Sequence, residues 1–188
     1  MGLKKLHKSD EKIVSLIQSG DIDLFKDLIF RYEAKMVRYS RKFLSDKEDI
    51  NDIVQDIFIK TYINIQDFDT KRKFSSWLYR IAHNKLVNRF KKNKRRITFS
   101  FPDLDAIIPY QMHDDSLRKE IDSRDTKKLI DKCLDKLNIK YREPIILYYL
   151  ENLSYKEISD VLQIPTSTVG IRIKRAKKIM NSIIKKTK

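Results

Sequence analysis

The chain has 188 residues, enough for one ordinary domain or two small ones, and 41 lysines and arginines against 26 aspartates and glutamates leave a formal charge of +15. That excess favours an anionic polymer as partner, nucleic acid or a membrane surface, while an apolar fraction of 41% still permits compact cores. The three glycines, at 2, 20 and 170, cannot assemble a phosphate loop, the three scattered histidines offer no zinc set, and the single cysteine excludes an internal disulfide.

The N-terminal "MGLKKLHKSDEK" lacks the apolar segment of a secretory signal, and Leu6 stands where a myristoylation signal at Gly2 needs Ser or Thr. The longest apolar run, "IILYYL" at 145–150, is far too short to span a bilayer. The expectation is a cytoplasmic protein with no membrane insertion, no metal and no cofactor.

Apolar residues spaced by three and four then predict helices in series. Ile13, Leu16 and Ile17 mark the first, and Phe25, Leu28, Ile29, Tyr32, Met36 and Val37 the second. "SGD" at 19–21 breaks the run, with Asp21 or Asp23 as the expected N-cap of the second helix. A third helix starts near Lys47 and carries Ile50, Ile53, Val54, Ile57 and Phe58. "NIQDFDTKRK", 64–73, reads as a polar loop, and a fourth helix begins at Ser75 or Ser76 with Trp77, Leu78, Ile81, Leu86 and Phe90.

Residues 93–113 hold two prolines and no sustained period, as a linker would. Helical pattern resumes from about Asp114 to Leu137, where Cys133 shares the spacing of Leu129, Ile130, Leu134 and Leu137 and reads as a small core residue. It continues through "YREPIILYYLENL", and no β-alternation of useful length appears. The fold class is therefore all-α, with two small helical domains, 1–92 and 114–188, joined by the linker 93–113.

The C-terminal stretch "LSYKEISDVLQIPTSTVGIRIKRAKK" begins with Ser154 and Glu157, a capping box that opens a helix with Tyr155, Ile158, Val161 and Leu162 inward. Pro165 ends that helix and is tolerated at the start of the next. There Val169, Ile173, Ala176 and Met180 share one face, and Ile171, Lys174, Arg175 and Lys178 point the other way. This is either a DNA-reading helix-turn-helix or an ordinary helical hairpin with a solvated basic face; the capping box, the short turn and the one-sided charge favour DNA.

Charge in the first half is segregated too. Asp49, Asp52 and Asp56 fall at i, i+3 and i+7 along one helical face, which suits a docking surface for a basic partner, a solvated face, or Mg²⁺ ligands of a nuclease. Downstream, "FSSWLYRIAHNKLVNRFKKNKRR" is strongly basic, with Phe74, Trp77, Tyr79 and Phe90 interleaved among amides Asn84 and Asn88. Basic groups track phosphates, and aromatics and amides take unstacked bases. Trp77 itself reads first as core, and Asn84 and Asn88, one turn apart, as base contacts.

In this order, "DINDIVQDIFIKTY", the basic aromatic segment, the linker and the helix-turn-helix resemble the extracytoplasmic-function group of bacterial sigma-70 factors. The resemblance covers most of 20–92 and 126–180. It implies a non-enzymatic subunit that binds core RNA polymerase and directs initiation at −10 and −35 promoter elements. Asp49, Asp52, Gln55 and Asp56 would dock on the β′ clamp helices, with further contact to the β subunit. Asp67, Lys71, Arg72, Lys73, Asn84, Asn88, Arg89 and Lys92 would bind the opened −10 element, the loop before Phe74 taking a flipped base. Ser167, Thr168, Ile171, Arg172, Lys174, Arg175 and Lys178 would read the −35 duplex. An anti-sigma factor is a further implied partner. The chain departs from the group's usual pattern at Asn51, Asn88, Gln163, Gly170 and Ile171, where Glu, Asp, Gly, a basic residue and Ser are common. A linker of some 20 residues at about 3.3 Å each reaches roughly 65 Å, or roughly 19 base pairs, so both domains could meet one promoter.

Overall fold

The computed structural model describes residues 8–94 and 124–185, with side chains over 8–89 and 129–185. The chain divides into two compact units, Met1–Arg96 and Ile97–Lys188. Among the described residues there are helices and no strands, as expected.

The first unit holds α1 (Asp10–Gln18), α2 (Phe25–Ser40), α3 (Lys47–Asn64) and α4 (Phe74–Lys94). Short polar side chains start two of them: Ser9 Oγ accepts from the Lys12 N–H at 3.2 Å and Asp46 from the Asp49 N–H at 2.8 Å. At the end of α1, Gly20 adopts φ +111°, the Gly20 N–H reaches the Ile17 carbonyl, and the Asp21 N–H reaches that of Leu16. This doubly bonded exit is a Schellman turn, which needs the left-handed backbone that glycine adopts without strain. It also overturns the expected cap of α2. Asp21 is tied back to α1, a 3-10 turn (Ile22–Leu24) runs directly into α2, and no side chain caps the helix.

Most of the core of this unit is where the spacing placed it, although Leu16, Ile29 and Val37 are only half-buried and Val14 and Tyr39 join the core from outside the expected pattern. Ile13, Val14 and Ile17 of α1 and Leu28, Tyr32, Met36 and Tyr39 of α2 are buried with Ile53, Val54 and Ile57 of α3. The segment expected as a polar loop is different. Ile65 and Phe68 are buried, Ile65 opening a 3-10 turn (Ile65–Asp67) and Phe68 packing its ring on Trp77 at 4.9 Å. Burying one large apolar side chain contributes about 1.5–3 kcal/mol, so two acids nearby do not keep Phe68 in water.

The second unit holds α5 (Arg124–Asp135), α6 (Ile139–Tyr149), α7 (Tyr155–Leu162) and α8 (Thr166–Lys185). Cys133 is buried with Leu134, Leu137, Ile146, Leu147, Ile158, Val161, Val169 and Ile173, as its spacing required. Arg142 of α6 donates to the Asp135 and Leu137 carbonyls at 2.6 and 3.2 Å, satisfying acceptors left over where α5 ends. α4 runs two residues past the expected domain limit at 92. The rest of the expected linker, and the expected helix over 114–123, lie outside the described residues.

Candidate nucleic-acid interface

The helix-turn-helix is built locally. Ser154 Oγ accepts from the Glu157 N–H at 3.3 Å while Glu157 Oε2 accepts from the Ser154 N–H at 2.7 Å, so the capping box is closed both ways. α7 ends at Gln163, which takes the left-handed conformation at φ 55°. A side chain there is strained, which is why glycine suits the position. Gln163 Nε2 donates to the Asp160 carbonyl at 2.6 Å, and Ser159 Oγ spans the turn to the Ile164 carbonyl at 2.6 Å. The Pro165 carbonyl then accepts from Val169, the first helical bond of α8.

Val169, Gly170, Ile173 and Ala176 form the buried side of α8. Directly opposite at 100° per residue lie Ser167, Ile171, Lys174 and Lys178; Ile171 is half-buried and the other three are exposed. Thr168 and Arg175 flank this stripe and are half-buried. Arg172, expected among the residues that read the −35 duplex, lies off this outward stripe. It sits three residues after Val169, beside the inward stripe, and its Nε is buried. The outward stripe therefore presents two lysines, one hydroxyl and one apolar side chain, which suits phosphate contact together with apolar contact to a thymine methyl.

In the first unit α3 and α4 pack side by side, and their charges meet. Arg89 donates to the Asp49 carboxylate, and Lys85 Nζ lies 3.1 Å from Asp56 Oδ2. Asp49 and Arg89, expected on separate surfaces, thus neutralise one another across the helix pair. Asp52 and Gln55 remain exposed beside Glu48 and Asn51, and Asp56 is 59% exposed despite its pair. With Asp49 and Asp56 turned to cations, the three acids do not converge, and among the described residues no group of three or more His, Cys, Asp or Glu could hold a metal ion.

Asn84 and Asn88 are both exposed, one turn apart on α4. Lys92 continues the series at the next turn, and its side chain lies outside the described residues. Asp67, Lys71, Arg72 and Lys73 are all exposed around the bend that precedes α4, where Asp69 Oδ1 accepts from the Lys71 N–H at 3.0 Å. Two of the aromatics interleaved with the basic run are closed to bases. Phe74 and Tyr79 are buried, Phe74 against Tyr32 and Phe68 and Tyr79 against Tyr39. Trp77 is half-buried, and Phe90 lies outside the side chains described.

Two polar side chains of α1 that no motif marks, Glu11 and Gln18, reach this bend. Gln18 Nε2 donates to the carbonyls of Ile65 and Phe68, and Glu11 accepts from the Phe74 N–H. Their spacing of seven residues puts them on one helical face, the only trace they leave in the sequence.

An acidic-and-basic helix pair in one unit and a capped helix-turn-helix in the other define a DNA-binding transcription factor of two helical parts. Residues 28–96 match the family model for sigma-70 region 2, and residues 127–180 that for sigma-70 region 4. The ECF RNA polymerase sigma factor SigW of Bacillus subtilis (strain 168) is 34% identical over 175 residues, 90% of this chain and 94% of that protein. The ECF RNA polymerase sigma-E factor of Escherichia coli (strain K12) is 31% identical over 181 residues, 93% of each. The chain belongs to the extracytoplasmic-function (ECF) group of RNA polymerase sigma factors. Its fold is that of CnrH, solved in complex with the cytosolic domain of CnrY, with a TM-score of 0.71 at 24% identity over 96% of this chain and 100% of that one. It is also that of the sigma factor RpoE from Bartonella quintana, solved with the anti-sigma factor NepR, with a TM-score of 0.65 at 22% identity over 86% and 96%. Among the described residues no helix is long and apolar enough to cross a membrane.

Proposed function

We propose that this sigma factor acts in the cytoplasm as a non-enzymatic specificity subunit of RNA polymerase, with its two units meeting the −10 and −35 elements separately. The outward stripe of Ser167, Ile171, Lys174 and Lys178, set opposite the buried side of α8, carries the −35 reading most directly. Thr168 and Arg175 flank the duplex contact, and Arg172 supports the helix from its inward edge.

Asn84 and Asn88 with Lys92, and the bend bearing Asp67, Lys71, Arg72 and Lys73, receive the opened −10 strand. Basic groups track its phosphates and amides meet its bases. Asp52, Gln55 and Asp56 form the docking face for the β′ clamp helices, while Asp49 and Arg89 hold α3 to α4 beneath it. The β subunit is a further contact. CnrH was solved in complex with the cytosolic domain of CnrY and RpoE in complex with an anti-sigma factor, which supports an anti-sigma factor as an additional partner here.

Run-off transcription with core polymerase on a randomised promoter library tests the reading. Enrichment of two blocks about two turns of duplex apart is expected, and DNA binding without co-elution with core polymerase would instead make this a free-standing regulator.

A further inference from the structure

α1 lies far in sequence from every residue assigned to DNA, yet it holds both ends of the bend that leads into α4. At the entry, Gln18 Nε2 donates to the Ile65 and Phe68 carbonyls, each at 2.8 Å, with the Gln66 carbonyl at 3.3 Å. Three carbonyl oxygens around one terminal atom fix the direction of the amide, since the reversed amide would set oxygen against oxygen. The Ile65 carbonyl also closes the 3-10 turn by accepting from the Phe68 N–H at 3.3 Å, and those of Gln66 and Phe68 follow where helical partners run out.

At the exit, Glu11 Oε1 accepts from the Phe74 N–H at 3.1 Å, one of the N–H groups that open α4 without an intrahelical partner. Glu11 and Gln18 stand two helical turns apart on α1, about 10 Å along its axis and on one face. Between the two anchors, Lys71, Arg72 and Lys73 stay exposed, and behind them the rings of Phe68 and Phe74 meet at 5.9 Å.

Ordering a backbone at the moment of binding lowers affinity, and a segment already held at both ends avoids most of that loss. We propose that Glu11 and Gln18 are positioning residues that preset the 69–73 bend for capture of an unpaired nucleobase, an inference that rests on the −10 reading given above. Neither touches the DNA. Each acts through the backbone it holds.

The test uses the full chain and a fluorescein-labelled single strand selected from a randomised pool by the wild-type protein with core polymerase. Gln18→Leu and Glu11→Ala should each bind that strand about five- to tenfold more weakly, the scale of one or two lost hydrogen bonds, with binding to a selected −35 duplex unchanged. Glu11→Gln keeps an acceptor oxygen and should restore the affinity. Amide exchange should quicken over 69–74 in the two weakened variants and stay unaltered in α2 and α3, which a general loss of structure would not produce. Wild-type affinity in both variants, or equal losses on single strand and duplex, would overturn the inference. If Gln18→Leu does not fold, Glu11→Ala against Glu11→Gln decides alone. Lys71→Ala with Lys73→Ala serves as the comparison. If it leaves single-strand binding intact, the −10 reading falls and takes this inference with it. If it weakens binding while Gln18→Leu and Glu11→Ala do not, only the inference falls.

Discussion

The Asp49 carboxylate on α3 accepts from the Arg89 guanidinium on α4, joining a residue expected to meet polymerase to one expected to meet DNA. Both side chains are about one-third exposed, so water screens the pair. A double-mutant cycle with Asp49→Asn and Arg89→Gln should give a coupling of no more than about 1 kcal/mol in urea unfolding. A much larger value would mean that the pair is closed off from solvent.

Asp52 is the acid on α3 best suited to test docking, because it is exposed and Asp56 is already engaged by Lys85. Asp52→Lys should leave −35 duplex binding intact or slightly tighter. Affinity for core polymerase should fall about tenfold, mainly through a slower association rate that salt then masks. Surface plasmon resonance at two salt concentrations separates these effects, after circular dichroism has shown the helices unchanged.

On α8 the two kinds of basic residue should behave differently. Lys174→Ala and Lys178→Ala should each flatten the salt dependence of duplex binding by about one unit of slope without altering stability. Arg172→Ala should lower the unfolding midpoint of the second unit, since its Nε is buried beside the core. Equal stability with a flatter salt slope for Arg172→Ala would return that residue to the outward face.

Tyr32 ties the first unit to alkaline pH. Burial, then the hydrogen bond from its hydroxyl to Asp10 at 2.5 Å, push the phenol far above its ordinary value. Below about pH 10 the phenol is protonated in both states and its contribution is fully present. Above that, the unfolded chain loses a proton that the native state keeps, so stability falls by up to about 1.4 kcal/mol per pH unit as pH climbs toward the folded value. Urea midpoints should therefore drop less steeply in alkali for Tyr32→Phe. At pH 8 that variant should be less stable by about 1 kcal/mol, the worth of the lost hydrogen bond.

Helices and their inward faces were legible because burial repeats with the helical period, as Ile50, Ile53, Val54 and Ile57 do on α3. What the period does not carry is the partner across the interface. Asp49 and Arg89 each lie on a charged run, and nothing in either run says that the runs face one another. Phe74 and Tyr79 looked available to bases because basic residues and amides surround them in sequence, whereas packing against Tyr32, Phe68 and Tyr39 takes them inside. Phe68 was hidden by its acidic neighbours. In sequence Gln163 is only a departure from glycine, and its left-handed backbone and bond to Asp160 supply the physical content of that departure. Of the two departures within α8, Gly170 lies on the buried side, away from the stripe offered to DNA, and Ile171 lies in that stripe.

The sole thiol and the sole indole fall in different units: Cys133 is sealed in the second, and Trp77 rests on Phe68 and Phe74 in the first. Burial pushes the Cys133 thiol up, so an alkylating reagent reacts only as the second unit opens. Trp77 emission, next to the bend that leads into α4, follows the first. The native chain thus carries one chemical clock and one optical gauge, and the melting of each half can be timed without adding a label.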